Sequence, residues 1–570
     1  MTASVEEKEN ARKHHDDRVD MDSIMAEIGQ FGSFQRRLVV ICALVSILAS
    51  WTFSEYLFTT ARISTRCKIS ECDTPYSEFY PSWVTNAIPG SLGSLDNCQR
   101  YALNSTLEAA ANHTCSADLF NQTDLQDCQE YIYENTDTIV YDFDLACDEW
   151  RRTLIGSCRT LGMLLALPIT GYISDRWGRR VAVAINAVTS ACLGVMRYWA
   201  DTYTVFIVSG VIESIFGSST YTSFYILLIE SIGAQYRTIA GATMMSFWAM
   251  GMMALGLIAW AVPNWRTLTL TLYIPQFISI TYFWILTESA RWYLSKGRYR
   301  ESRAVLEKIA RTNGKTISSK SLAALKSLAD EEKRKRVKKH YATDPWVLVS
   351  VFRHKKVLVR CAVAPVWWIT STFIYYGLSI NAVNMVGNSY LNFVAVSAVE
   401  IPGFWTAVLL LDRVGRKPVL IGGYWICTAC QLAYIFIPKN YDSALLAVYL
   451  LGKYSIAVVF KSLYMYTAEL YPTQHRNTLF SFTSMVGRVG SIVAPLTPAF
   501  GEALFAAFPF VLFGSCALLS GALVFLTPET LGTRLPDTMA EADNLYNEHN
   551  VTFIAQTATI SKSTDSVDIF

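Results

Sequence analysis

The sequence predicts an all-α membrane protein: twelve membrane-crossing helices in two six-helix halves that repeat in parallel, with a large disulfide-bonded loop after the first helix. Three observations predict it. The composition is too apolar for one soluble core, with 52% hydrophobic and 17% charged residues and a mean hydropathy of +0.26. Twelve segments are long and apolar enough to cross a hydrocarbon layer, which takes about 20 residues of helix. Charged motifs at the ends of these segments return 237 to 241 positions later.

Residues 1–37 are polar and mixed in sign, with no apolar core and cleavage site of a signal peptide, and are expected on the cytoplasmic side. The first six spans lie near 38–60, 152–173, 181–199, 204–230, 238–262 and 267–287. The second six lie near 357–379, 389–411, 418–437, 443–468, 477–499 and 507–527. The domains are therefore a bundle over 38–287 that includes a loop at 61–150, a basic linker at 288–356, a second bundle over 357–529 and a tail at 530–570. An even number of spans puts both termini on one side.

The loop at 61–150 holds Cys67, Cys72, Cys98, Cys115, Cys128 and Cys147, an even set in a polar segment, which predicts disulfides formed in an oxidising compartment. Their connectivity is open among 15 pairings. Asn104, Asn112 and Asn121 open glycosylation sequons in the same loop. The linker carries 19 Lys or Arg against 7 acids, whereas the loop carries 4 against 15. Basic segments stay in the cytoplasm, so the loop is expected outside and both termini inside. The basic run at 333–339 is expected to form a solvated helix near anionic lipid. Net charge is only +2, and no nucleic-acid partner is expected.

Asp175, Arg176, Gly178, Arg179 and Arg180 follow span two, and Asp412, Arg413, Gly415, Arg416 and Lys417 follow span eight. Glu230 and Arg237 stand seven apart after span four, as do Glu469 and Arg476 after span ten. Glu288 and Glu529 follow spans six and twelve. This repetition makes the chain two parallel six-helix repeats. Each glycine suits a tight turn, and the aspartates and glutamates can pair with arginines on neighbouring ends, so these groups are the expected gate on the cytoplasmic side.

An ionisable group in the hydrocarbon costs about 2.5–3.5 kcal/mol on insertion scales, so each one implies a partner or a water-filled cavity. Glu400 lies twelve residues before Asp412 and Arg488 twelve after Arg476, so each sits about 18 Å from the same face. Both are expected to bind substrate where the repeats meet. Lys461, Glu213, and the aromatics Trp368 and Tyr375, seven apart on span seven, join them as candidates. Glu55 and Arg159 are expected to form a structural ion pair.

With the motifs "GYISDRWGRR", "ESARWYLSKGR", "YYGLS", "VEIPGF", "TAELYPTQHRNT" and "RVGSIVAP" in place, the sequence resembles the major facilitator superfamily and, within it, the organic cation, organic anion and carnitine transporters of solute carrier family 22. The resemblance covers essentially the whole chain. It implies the major facilitator fold and a central cavity drawn from Trp368, Tyr375, Glu400, Lys461 and Arg488. Arginine at the span-eleven position looks like anion and carnitine carriers, and Glu400 like cation and carnitine carriers, so the pair together looks most like the carnitine-type branch. Lys461, Ala290, Arg159 and Glu213 depart from the usual pattern.

The expectation is a plasma-membrane carrier of small organic cations or zwitterions working by alternating access, with lipid and an organic ion as its partners. It is not expected to be an enzyme and has no expected cofactor or metal; the coupling ion, sodium or proton, is left open. An organic anion exchanger led by Arg488 and Lys461 is the alternative, and a receptor or scaffold that keeps the fold without transporting is another. The tail Val567, Asp568, Ile569 and Phe570 offers a PDZ-type docking end.

Overall fold

The computed structural model describes residues 21–74, 78–91, 94–104, 115–339, 351–385, 387–438, 440–473, 475–533, 536 and 538–544. Asn112 and the PDZ-type end at 567–570 lie outside them.

Eleven helices among the described residues are long and apolar enough to span a membrane. They are Ser33–Thr59, Glu149–Trp177, Arg179–Trp199, Ala234–Ala261 and Trp265–Ile285 (spans 1, 2, 3, 5 and 6), then Lys355–Asn384, Ser389–Val414, Arg416–Phe436, Asp442–Leu470, Thr478–Ala503 and Phe508–Leu526 (spans 7 to 12). The twelfth, Tyr203–Glu230 (span 4), is a 28-residue helix diluted by Glu213 and by glycine, serine and threonine. It affords that polarity because it packs between spans 2 and 3. All twelve sequence-derived segments are helices.

Several spans break where the sequence dictates. Span 8 divides into Ser389–Ala398 and Glu400–Val414. Pro402 lacks an N–H and its ring crowds the carbonyl four residues back, which ends the first piece at Ala398. Glu400 thus opens the second piece, inside the protein. Span 11 tightens into a 3-10 turn over Ala494–Leu496, around Pro495.

The insert after span 1 folds on three disulfides, Cys67–Cys128, Cys72–Cys115 and Cys98–Cys147, closing chain separations of 61, 43 and 49 residues. Loops of that size are worth roughly 4 kcal/mol each by chain entropy. Short antiparallel pairs, Thr65–Cys67 with Tyr131–Tyr133 and Gln99–Leu103 with Phe120–Asp127, supply its backbone pairing. Asn121 is exposed on the Phe120–Asp127 strand, and its amide oxygen accepts from the N–H and hydroxyl of Thr123 within its own sequon.

On the opposite face, the linker forms helices Ala290–Ser295, Tyr299–Thr312 and Ser319–Lys339. The N-terminal helix Met21–Glu27 docks on them through Ile24, Met25, Ile28, Leu306, Ile309 and Leu325. Asp22 accepts from both Arg237 and Arg291, fastening this unit to the start of span 5. Glu27 accepts from Ser318 and Ser321, and these hydrogen bonds, led by that of Ser321, hold its carboxyl below its ordinary value.

Candidate functional site

The repeated charges build the same device twice on the linker face. Gly178 (φ 108°, ψ 163°) and Gly415 (φ 109°, ψ 162°) hold nearly identical conformations open to glycine. Each lets the next span start at once, and the acid after the sixth helix of that half caps it. Glu288 accepts the N–H groups of Arg179 (2.9 Å) and Arg180 (3.1 Å), and Glu529 those of Arg416 (3.0 Å) and Lys417 (2.9 Å). A Cβ on Gly178 or Gly415 would come within 2.1 or 2.9 Å of these carboxylates. Burial pushes the Glu288 carboxyl above its ordinary value, opposed by those backbone donors.

Around each cap the predicted ion pairs form inside one half. Arg179 reaches Asp175 at 2.6 Å and Glu230 at 3.6 Å; Arg416 reaches Asp412 at 3.3 Å and Glu469 at 3.1 Å. Arg176 and Arg413 are exposed, while Arg476 reaches the Tyr471 carbonyl. Among the described residues no ion pair joins the two halves on this face; the one that does lies towards the loop face, beside aromatic contacts. There Phe58 stacks on Tyr390, Trp150 meets Phe500 edge-on, and Arg62 pairs with Glu502 at 3.2 Å.

Deep in the first half, Glu55 and Arg159 meet at 3.3 Å as the sequence suggests, within a larger network. Arg159 also pairs with Glu213 at 2.8 Å, and Glu55 with Arg197 at 2.5 Å. Thr269 donates to Glu55, Ser190 to Glu213 and Arg197 to the Tyr273 hydroxyl. All four charges are at most 2% exposed. Five helices are tied by two acids and two bases, and Glu213 is engaged here rather than beside Glu400.

The second half holds the other candidates. Glu400 is 2% exposed. Its two carboxylate oxygens are both taken: Tyr375 donates its hydroxyl at 2.5 Å, and the Lys453 ammonium stands 2.8 Å away. Lys453 was missed in the sequence reading, although a lysine mid-way along span 10 is the same kind of signal as Lys461. The Tyr375 ring stacks on Phe460, and Trp368 meets Phe460, Tyr464 and Phe480 while donating to Thr467. Tyr376, beside Tyr375, crosses to the first half through Phe53, which touches Trp248.

Arg488 lies near the phenols of Tyr376 and Tyr464. Glu400 is thus held by Tyr375, and Arg488 lies by the next residue, Tyr376. Span 11 comes this close because Gly487 lies against Trp368, where a Cβ would sit 2.6 Å from the tryptophan Cβ. Lys461 is 9% exposed and points across the halves, its ammonium near Gly241 and the Tyr225 hydroxyl. Among the described residues neither Arg488 nor Lys461 pairs with a carboxylate. A cavity of about 180 Å³ lies elsewhere, against Met385, Asn392, Tyr434 and Asp442, and touches none of these groups.

Known proteins agree with this architecture. The family model described as "Sugar (and other) transporter" matches residues 92–540. The chain is 28% identical to an organic cation transporter protein of Drosophila melanogaster, across 92% of this chain and 94% of that one. It is 28% identical to solute carrier family 22 member 1 of Oryctolagus cuniculus (92% and 95%) and 27% identical to solute carrier family 22 member 2 of Homo sapiens (92% and 95%). In fold it is similar to the inward-open xylose transporter XylE of E. coli, with a TM-score of 0.57 at 14% identity over 89% of this chain and 100% of that one. The repeated six-helix halves, the fold likeness and the family match over most of the length lead to one conclusion: the chain belongs to the sugar (and other) transporter family, and is a multi-pass membrane transporter rather than an enzyme.

Proposed function

We propose that the chain is a plasma-membrane carrier that moves small organic anions, aromatic ones above all, by rocking its two halves about the cluster of Trp368, Tyr375, Tyr376, Tyr464 and Arg488. One observation carries this reading: Glu400 is already neutralised by Lys453, while Arg488 and Lys461 meet no carboxylate among the described residues. Between the ends of the twelve spans the acids are Glu55, Glu213 and Glu400, and each has a basic partner. The cluster therefore carries surplus positive charge, where a carboxylate gains a charge-assisted hydrogen bond and its ring gains aromatic contact.

In this reading the disulfide-bonded insert, with Asn104 and Asn121, lies outside, and both termini with the basic linker lie in the cytoplasm. The linker-face clusters of Asp175, Arg179, Glu230, Asp412, Arg416 and Glu469 brace each half as it moves, and Glu213 anchors span 4. Contacts such as Phe58 with Tyr390, where the halves touch towards the loop, would serve as the outer gate.

A second reading, a zwitterion or cation carrier of the carnitine type, draws on the organic cation transporters among the relatives and on Glu400 and Arg488 lying by the adjacent Tyr375 and Tyr376. Uptake into proteoliposomes of benzoate, carnitine and phenyltrimethylammonium separates the two. The anion reading expects saturable benzoate uptake that Arg488→Gln lowers at least tenfold. Carnitine or the cation taken up in preference to benzoate would replace it with the second reading.

A further inference from the structure

We propose that Lys453 sets the charge selectivity of the transport site by occupying Glu400. The inference rests on the reading of the central cluster as that site.

The Lys453 side chain is fully buried. Its three N–H donors are all used, on Glu400 at 2.8 Å, the Tyr375 carbonyl at 2.8 Å and the Ser379 hydroxyl at 2.7 Å. It also sits 3.7 Å from the centroid of the Tyr375 ring, and the same tyrosine gives its hydroxyl to Glu400 and stacks on Phe460. One aromatic layer, Tyr375 and Tyr376, therefore separates the ion pair from the place where the halves meet.

A carboxylate behind two tyrosines is the arrangement that attracts an organic cation, through charge and through the ring faces. Lys453 cancels it from within. Lys453, Phe460 and Lys461 stand seven and eight positions apart on span 10 and so share one helix face, which brings the cancelling lysine, the stacking ring and the unpaired lysine to the cluster together. The two members of the pair thus push selectivity in opposite directions. Without Lys453, Glu400 is an uncompensated anion that a bound cation would satisfy; without Glu400, Lys453 joins Arg488 and Lys461 as a third cation open to a bound anion.

The test is equilibrium binding of benzoate and phenyltrimethylammonium to the purified full-length protein in lipid nanodiscs. Lys453→Gln is expected to move the anion-to-cation affinity ratio at least tenfold towards the cation, and Glu400→Gln at least tenfold towards the anion. The double variant Lys453→Gln/Glu400→Gln, which restores buried neutrality, is expected to return near the wild-type ratio. Because the single variants move in opposite directions, either one that folds decides the matter alongside the double variant. Ratios unchanged in the variants, or shifted alike in single and double variants, would reduce the pair to a brace and overturn the inference. A wild type that prefers the cation would instead overturn the anion reading of the site, and the contrast between single and double variants would still judge Lys453.

Discussion

The two halves are built on one repeat and use buried charge for different ends. In each, an ion pair ties the second helix of the half to the fourth, Arg159 to Glu213 at 2.8 Å in the first and Glu400 to Lys453 at 2.8 Å in the second. The signs are reversed between them. The first half goes on to match its buried acids with arginines, adding Glu55 and Arg197, so this network is neutral. The second half leaves Arg488 and Lys461 over. A buried pair of opposite charges reads as scaffold, whereas a buried Lys461 and a half-buried Arg488 with no carboxylate partner read as a place for a ligand.

If that division is right, the largest effect comes from breaking the neutral half. Arg159→Leu leaves Glu55 and Glu213 short of positive charge and should cost about 3–5 kcal/mol, enough to lower the thermal midpoint in detergent sharply and deplete folded protein. Next comes Arg488→Gln, which should leave the thermal midpoint nearly unchanged while weakening binding of an organic anion 10- to 100-fold, the worth of one charged hydrogen bond of about 1.5–3 kcal/mol. An Arg488 variant that unfolds like the Arg159 one would erase the distinction between the halves.

Lys461→Gln sharpens the comparison in the other direction. Removing a desolvated charge that has no partner should raise the midpoint slightly while lowering anion affinity several-fold, a trade between stability and function that no first-half charge should display. Gly178→Ala and Gly415→Ala test what the halves share. Both should destabilise by at least about 1–2 kcal/mol, because each puts a side chain in a left-handed conformation and against a capping carboxylate. The smallest effect is local. The Glu27 carboxyl is lowered by its serine donors, so its contribution is present above its unfolded value and is lost as pH falls through the folded one; amide exchange at the start of the Ser319–Lys339 helix should quicken below about pH 4.5.

Much of the architecture could be read from the chain because a lipid solvent imposes a crude rule on every span. Span 4 was legible despite Glu213, since the acid is one charge in a long apolar run. The repeat was legible because glycine, acid and arginine stand at fixed spacings, and the structure places Arg179 and Arg416, and Glu288 and Glu529, in matching contacts, although Arg237 and Arg476 differ. What escaped was pairing. Glu213 looked like a cavity residue, and Arg197, at the end of span 3, drew no attention; only packing of five helices brings both to Arg159 and Glu55. Lys453 was overlooked beside Lys461, yet it decides whether Glu400 is available. The disulfide connectivity likewise depended on the fold of the insert, since spacing alone left every pairing open.

The most direct measurement sets the two signs of charge against each other in one binding site. Titration of wild type and Arg488→Gln in nanodiscs with benzoate and phenyltrimethylammonium, matched in ring and opposite in charge, should give at least tenfold tighter binding of benzoate to the wild type and loss of that preference in the variant. Tighter binding of the cation, or a preference for benzoate that survives without Arg488, would contradict the account.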